Sequence, residues 1–159
     1  MREVVKAGIG ILAAFLLYTA LGKINHSLPL MVNFFSLLVI YFALGKGEVY
    51  GACMGTVSGL IQDSFSLGVF GISGMAKTIT GYVAGYVSQK IDVVPFFRNF
   101  LFIMTMMIIE VGISYLLYSF IYPEYVREIN PFLSFQPLST ALVGSLIFVV
   151  VKRFWRLSP

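Results

Sequence analysis

Charge is the scarcest property of this chain. Of its 159 residues only 11% are Asp, Glu, Lys or Arg, less than half the roughly 25% of an ordinary soluble domain. So few polar groups cannot cover a water-facing surface. Cys53 is the only cysteine, so no intrachain disulfide can form and no redox compartment is implied. His26 is the only histidine and is expected to be a solvated loop residue, because metal sites gather several donors. Paired catalytic carboxylates, a Ser/His/Asp set, a nucleotide-binding loop and metal-ligand spacing are all missing. The residues read as a protein that is not an enzyme and needs no metal or cofactor.

What is present is apolar mass: 58% of residues are hydrophobic and the mean hydropathy is +0.91. The net charge of +4 could point to nucleic acid, but the basic residues stand at the ends of apolar runs. Membrane topology produces that placement, so no nucleic-acid partner is expected. A spanning helix takes about 20 mostly apolar residues. Candidate helices run over Val5–Leu21, Pro29–Leu44, Val49–Phe65, Val69–Ser88, Pro95–Ile121 and Phe135–Val151. Together they predict an all-α integral membrane bundle of about six helices, a single polytopic domain over residues 1–159. Ala20-Leu21-Gly22 would pass as a weak signal-peptide cleavage site, but further spans follow at once and the first helix is expected to be retained.

The breaks carry turn residues or charges: Lys23-Ile24-Asn25-His26, Gly45-Lys46-Gly47-Glu48, Ser66-Leu67-Gly68 and Gln89-Lys90-Ile91-Asp92. The longest, Tyr122 to Gln136, holds prolines around Glu124, Arg127 and Glu128, and predicts a loop with a short surface helix. The glycine-bearing third segment could instead be re-entrant. Charge chooses between the two models. With every segment crossing and a cytoplasmic amino terminus, Arg2, Lys6, Lys46, Lys90, Arg98, Lys152, Arg153 and Arg156 lie inside, against Lys23 and Arg127 outside. A re-entrant third segment would leave only Arg2, Lys6, Lys46 and Arg127 inside. The positive-inside rule favours the first model, with both termini cytoplasmic. Aromatic residues fit it: Tyr115, Tyr118, Phe120, Tyr122 and Tyr125 gather toward the outer end of the fifth helix, and Phe154 and Trp155 follow the sixth, as interfacial anchors do.

Small residues mark two helix faces. Gly51, Gly55 and Gly59 recur every four residues on the third helix, and Gly74, Gly81 and Gly85 nearly so on the fourth. In lipid such faces let backbones approach and pack; the other reading is a groove wall for a partner helix or ligand. Lys77 and Glu110 fall near the middle of their spans, where a charge costs about 3 kcal/mol to insert. At about 1.5 Å per residue their depths agree to roughly 5 Å, so an interhelical ion pair is expected. It can fix the fourth helix to the fifth, form a ligand or proton site, or offer a charge to a partner's helix; Glu110 could also be protonated and unpaired. Asp63 ends the third helix at the outer boundary. It is expected to cap the first amides of the fourth, favourable at the positive end of that helix, or else to contact a partner or solute.

The stretch from Val49 to Ile91 resembles the rod shape-determining protein MreD family. That family's pattern is a glycine-spaced helix ending in an aspartate, a short loop, and a second glycine-bearing helix. Here it reads Gly51, Gly55, Gly59, Leu60-Ile61-Gln62-Asp63, Ser66-Leu67-Gly68, Gly71, Gly74, Gly81-Tyr82 and Gly85. Leu37, Leu38 and Tyr41, the chain length and the basic tail around Trp155 also fit. Val32-Asn33 stands where many members carry Pro-Asp. The resemblance implies a non-enzymatic, multi-pass component of the bacterial cytoplasmic (inner) membrane. Such a component belongs to the elongasome, binds the scaffold MreC, and couples MreB filaments indirectly to peptidoglycan synthesis by RodA and its transpeptidase partner. It also implies a fold similar to the S components of energy-coupling factor transporters, and hence an alternative function as a vitamin-binding subunit. Ala7, Ala13, Ala14 and Ala20 do not give the Ala-x-x-x-Ala spacing that those components often use for docking.

Overall fold

A computed structural model of the chain describes residues 2–24, 31–65, 69–91, 93, 95–121 and 132–155. Among these the structure is all helical, with no strand. The helices are α1 (Arg2–Ile24), α2 (Phe34–Lys46), α3 (Glu48–Phe65), α4 (Ile72–Ser88), α5 (Phe96–Ile121) and α6 (Phe132–Trp155). His26, the Ser66-Leu67-Gly68 connection, and Tyr122, Tyr125 and Arg127 of the long break lie outside the described residues.

Local chemistry places the helix ends, and it shifts several from their expected positions. α2 begins at Phe34 rather than Pro29, because Asn33 is an extended N-cap whose side chain accepts from the Ser36 amide at 3.2 Å. A side-chain oxygen there satisfies one of the amides that a helix start leaves open. α4 begins at Ile72 rather than Val69. Gly71 precedes it with φ 99°, a left-handed backbone that glycine adopts freely and through which a right-handed helix cannot run. Gly47, at φ 89°, separates α2 from α3 and donates its amide to the Ala43 carbonyl. The Pro95 carbonyl accepts the Asn99 amide at 2.9 Å just before α5. α6 starts at Phe132 rather than Phe135 and continues through Pro137.

α2 is the hub and touches every other helix. α3 and α4 form an antiparallel hairpin with the most extensive contact in the fold, α2 lies across both, and α5 joins α4 to α6. α1 packs chiefly on α2 and also reaches α3: Ala7 clusters with Phe42 and Met54, Tyr18 lies 6.0 Å from Phe35, and Phe15 lies 4.6 Å from Phe65 of α3, ring centre to ring centre. The main core gathers Ile40, Ala43, Ala84, Phe102, Ile103, Met106, Met107 and Ala141. On α5 the buried positions Asn99, Phe102, Ile103, Met106, Met107 and Glu110 follow the three- and four-residue spacing of one helix face. Beyond Glu110 none of the residues to Ile121 is buried.

The outside of the bundle carries many large apolar side chains. Val5, Ile9, Leu12 and Leu16 of α1 and Leu142, Leu146 and Val150 of α6 are exposed, an arrangement water would not tolerate on this scale. Two stretches, Ala7–Ile24 and Phe96–Ile121, are long and apolar enough to cross a membrane. α3, the segment that might have turned back, is one continuous helix of 18 residues.

Candidate functional site

The centre of the bundle is polar. Lys77 on α4 and Glu110 on α5 form an ion pair, with side-chain exposures of 1% and 6%. The same Glu110 oxygen accepts the Ser36 hydroxyl at 2.7 Å. Ser36 belongs to the first turn of α2, where its amide is held by Asn33. The Asn33 amide in turn donates to the Thr140 hydroxyl of α6 at 3.2 Å. Four helices are therefore joined by one chain of polar contacts through a buried core. Each member has a reason to be there: a charge far from water needs an opposite charge and further hydrogen bonds to hold it.

Spacing makes this arrangement possible. Lys77 shares its buried face with Gly74 and Gly81, and the small residues around it leave room for the lysine stem. Glu110 is the last buried position of the α5 stripe. Other buried polar atoms have no hydrogen-bond partner among the described residues: Thr80 Oγ1, Gln62 Oε1 and both carboxamide atoms of Asn99.

Asp63 lies elsewhere. Buried at the end of α3, its Oδ2 accepts the Gly71 amide at 2.8 Å and the Gly74 amide at 3.2 Å. Gly71 has no side chain with which to cap α4. Asp63 thus fills, from the preceding helix, the place a capping side chain would take, and brings negative charge to the positive helix end. Asp63 therefore holds the start of α4 from the end of α3, whereas Lys77 and Glu110 join α4 to α5.

The glycines form the joint between α3 and α4. A Cβ on Gly51 would strike the Gly81 carbonyl, one on Gly55 the Lys77 backbone, and one on Gly59 the Cα of Gly74. Gly81 faces Gly51, and Gly85 faces the backbone of Glu48. Gly74 is looser, since its nearest neighbour would be a Leu60 methyl at 3.2 Å. Direct backbone contact of this kind is how helices associate where burial from water supplies no drive.

Reading residues one helix at a time missed Ser36 and Thr140, because a lone hydroxyl in an apolar run has no pattern of its own. Asn33 carried a usable signal: an asparagine directly before an apolar run reads as a helix N-cap.

No curated protein and no solved structure matches the chain. The family model for rod shape-determining protein MreD matches residues 3–156, which takes in α2 to α6, all of α1 but Arg2, and Asp63 together with the Lys77–Glu110 pair. The chain belongs to the rod shape-determining protein MreD family, a family of membrane proteins.

Proposed function

We propose that this protein is a non-enzymatic component of the bacterial elongation machinery. It crosses the cytoplasmic membrane with all six helices, keeps both termini inside, and acts by binding an MreC-like single-pass scaffold. Through that scaffold it supports cell-shape maintenance and peptidoglycan synthesis by RodA and its transpeptidase partner, with MreB engaged indirectly. The observation that carries the reading is the family match across residues 3–156. The interior supports it. Lys77 and Glu110 neutralise each other, and Asp63 is committed to two backbone amides. These groups make a rigid body that a partner can dock against, with function residing in its surface.

The test is capture of the tagged chain from native membranes in mild detergent, with co-purifying proteins identified by mass spectrometry. A single-pass coiled-coil scaffold together with cell-wall synthesis proteins is the expected result. Recovery of paired ATPases with a second membrane subunit would overturn it and assign the chain to vitamin uptake.

A further inference from the structure

Among the described residues five hydroxyl side chains are buried: Ser36, Ser58, Thr80, Thr140 and Ser145. Ser58 and Ser145 donate back to carbonyls of their own helices, those of Met54 and Ala141. Ser36 and Thr140 belong to the polar chain that runs through Glu110 and Asn33. Thr80 does neither. It is almost fully enclosed and its Oγ1 has no partner, although the carbonyl four residues earlier is an ordinary acceptor for a threonine on a helix.

Thr80 stands three residues after Lys77, and both are buried on α4; residues at that spacing share a helix face. Lys77 meets Glu110, and Ala84 clusters with Phe102 and Ile103, so α4 and α5 run antiparallel. Helix side chains lean toward the amino end of their own helix. Glu110 therefore leans along α5 toward Met107, which is the level of Thr80 on α4. The ion pair is not saturated. A lysine ammonium has three donors, yet that of Lys77 has one acceptor among the described residues, Glu110 Oε1. The same oxygen also takes the Ser36 hydroxyl. Ala76 and Ala84, four residues to either side of Thr80, and Gly81 beside it are buried and small, and keep side-chain bulk away from its hydroxyl.

We infer that one water molecule is bound between Thr80 and the Lys77–Glu110 pair, accepting from the Lys77 ammonium and donating to Thr80 Oγ1. An interior water is held by polar groups that are otherwise unmet, and Lys77 and Thr80 supply a donor and an acceptor of that kind. While the ammonium is held at Glu110, a water reaches what a direct bond does not: two hydrogen bonds in series span about 5.5 Å between heavy atoms. The bound water gives a charge enclosed in the bundle a second hydrogen bond, which lowers the cost of burying it. Asn99, the other buried side chain on α5 without a partner, belongs elsewhere, because it stands 11 residues before Glu110, about 16 Å along the helix. The inference concerns the interior alone and does not rest on scaffold binding, so the two can fail separately.

Water-edited solid-state NMR of the isotope-labelled full chain in lipid bilayers tests this, with magnetisation starting on water protons and read at Lys77 Nζ and Thr80 Cβ. Transfer to both is expected, and its absence overturns the proposal. Thr80→Val removes the hydroxyl at nearly constant shape and is expected to abolish transfer to Lys77. Unchanged transfer in that variant overturns the site. The sign of the melting shift is an independent reading. Replacing an unpaired buried hydroxyl by an apolar group of the same shape leaves stability equal or higher. With a water bound, Thr80→Val strands a lysine donor and is expected to lower Tm by about 2–4 °C. An equal or higher Tm overturns the proposal. Circular dichroism checks that each variant is folded, and Thr80→Ala carries the transfer test if the valine variant is not.

Discussion

Lys77 and Glu110 lie 33 residues apart in the chain and meet as an ion pair between α4 and α5, both almost fully enclosed. Neither would be tolerable alone at that depth. Together, with the Ser36 hydroxyl as a further donor to Glu110, they convert two costly residues into a fixed point for three helices.

The pair is expected to show strong non-additivity. Lys77→Met leaves a carboxylate unmatched and should destabilise the bundle by about 3 kcal/mol. Glu110→Gln should do nearly the same through the stranded lysine. The double variant removes both charges and should recover much of the loss. Ser36→Ala removes one charge-assisted hydrogen bond and should cost about 1.5–3 kcal/mol. Thermal unfolding of the four proteins in detergent measures the cycle, and strictly additive losses would show that the pair does not act as a unit.

Asp63→Ala should weaken the start of α4 by about 1 kcal/mol, the usual cost of deleting a helix cap. Asp63→Asn keeps an acceptor for the Gly71 and Gly74 amides and should lose less. Hydrogen exchange of the amides from Gly71 to Gly74 reports on this end directly. Faster exchange in the alanine variant is expected, and unchanged exchange would remove the capping role.

Glycines at the joint and away from it should respond in opposite ways. Gly55→Ala puts a methyl group into the Lys77 backbone and Gly51→Ala into the Gly81 carbonyl, and each should lower the melting temperature and membrane abundance. Neither clash lies at the end of a flexible side chain, so the helices must separate to relieve it. Gly112 on α5 has nothing near the place its Cβ would occupy, and alanine is the better helix former by about 0.8–1 kcal/mol. Gly112→Ala should therefore be neutral or stabilising by melting temperature.

Asn99 is fully buried, and neither atom of its carboxamide has a partner among the described residues. A buried polar group without a partner costs about 1–3 kcal/mol. Asn99→Leu, of similar size, should accordingly keep or raise thermal stability. A clear fall would mean that the carboxamide is engaged by something essential.

The sequence by itself determined the helical class. Too few charges for water, apolar runs of spanning length and breaks marked by glycine and charge leave little else to build. It also carried the glycine periodicity of α3 and α4, because a four-residue repeat is a property of one helix and needs no partner to be seen. Helix starts were less legible. Pro29 and Val69 continue the apolar runs, whereas the backbone begins α2 and α4 only after Asn33 and Gly71, where capping and a left-handed turn outweigh hydropathy.

What only the tertiary structure decided is which residues meet. Depth along the chain placed Lys77 and Glu110 at one level, but the azimuth of each helix about its axis depends on packing against all its neighbours. Ser36, Asn33 and Thr140 joined the network through that packing alone. A hydroxyl or a small residue has no preference strong enough to be read locally. Its role is set by what the fold brings opposite it.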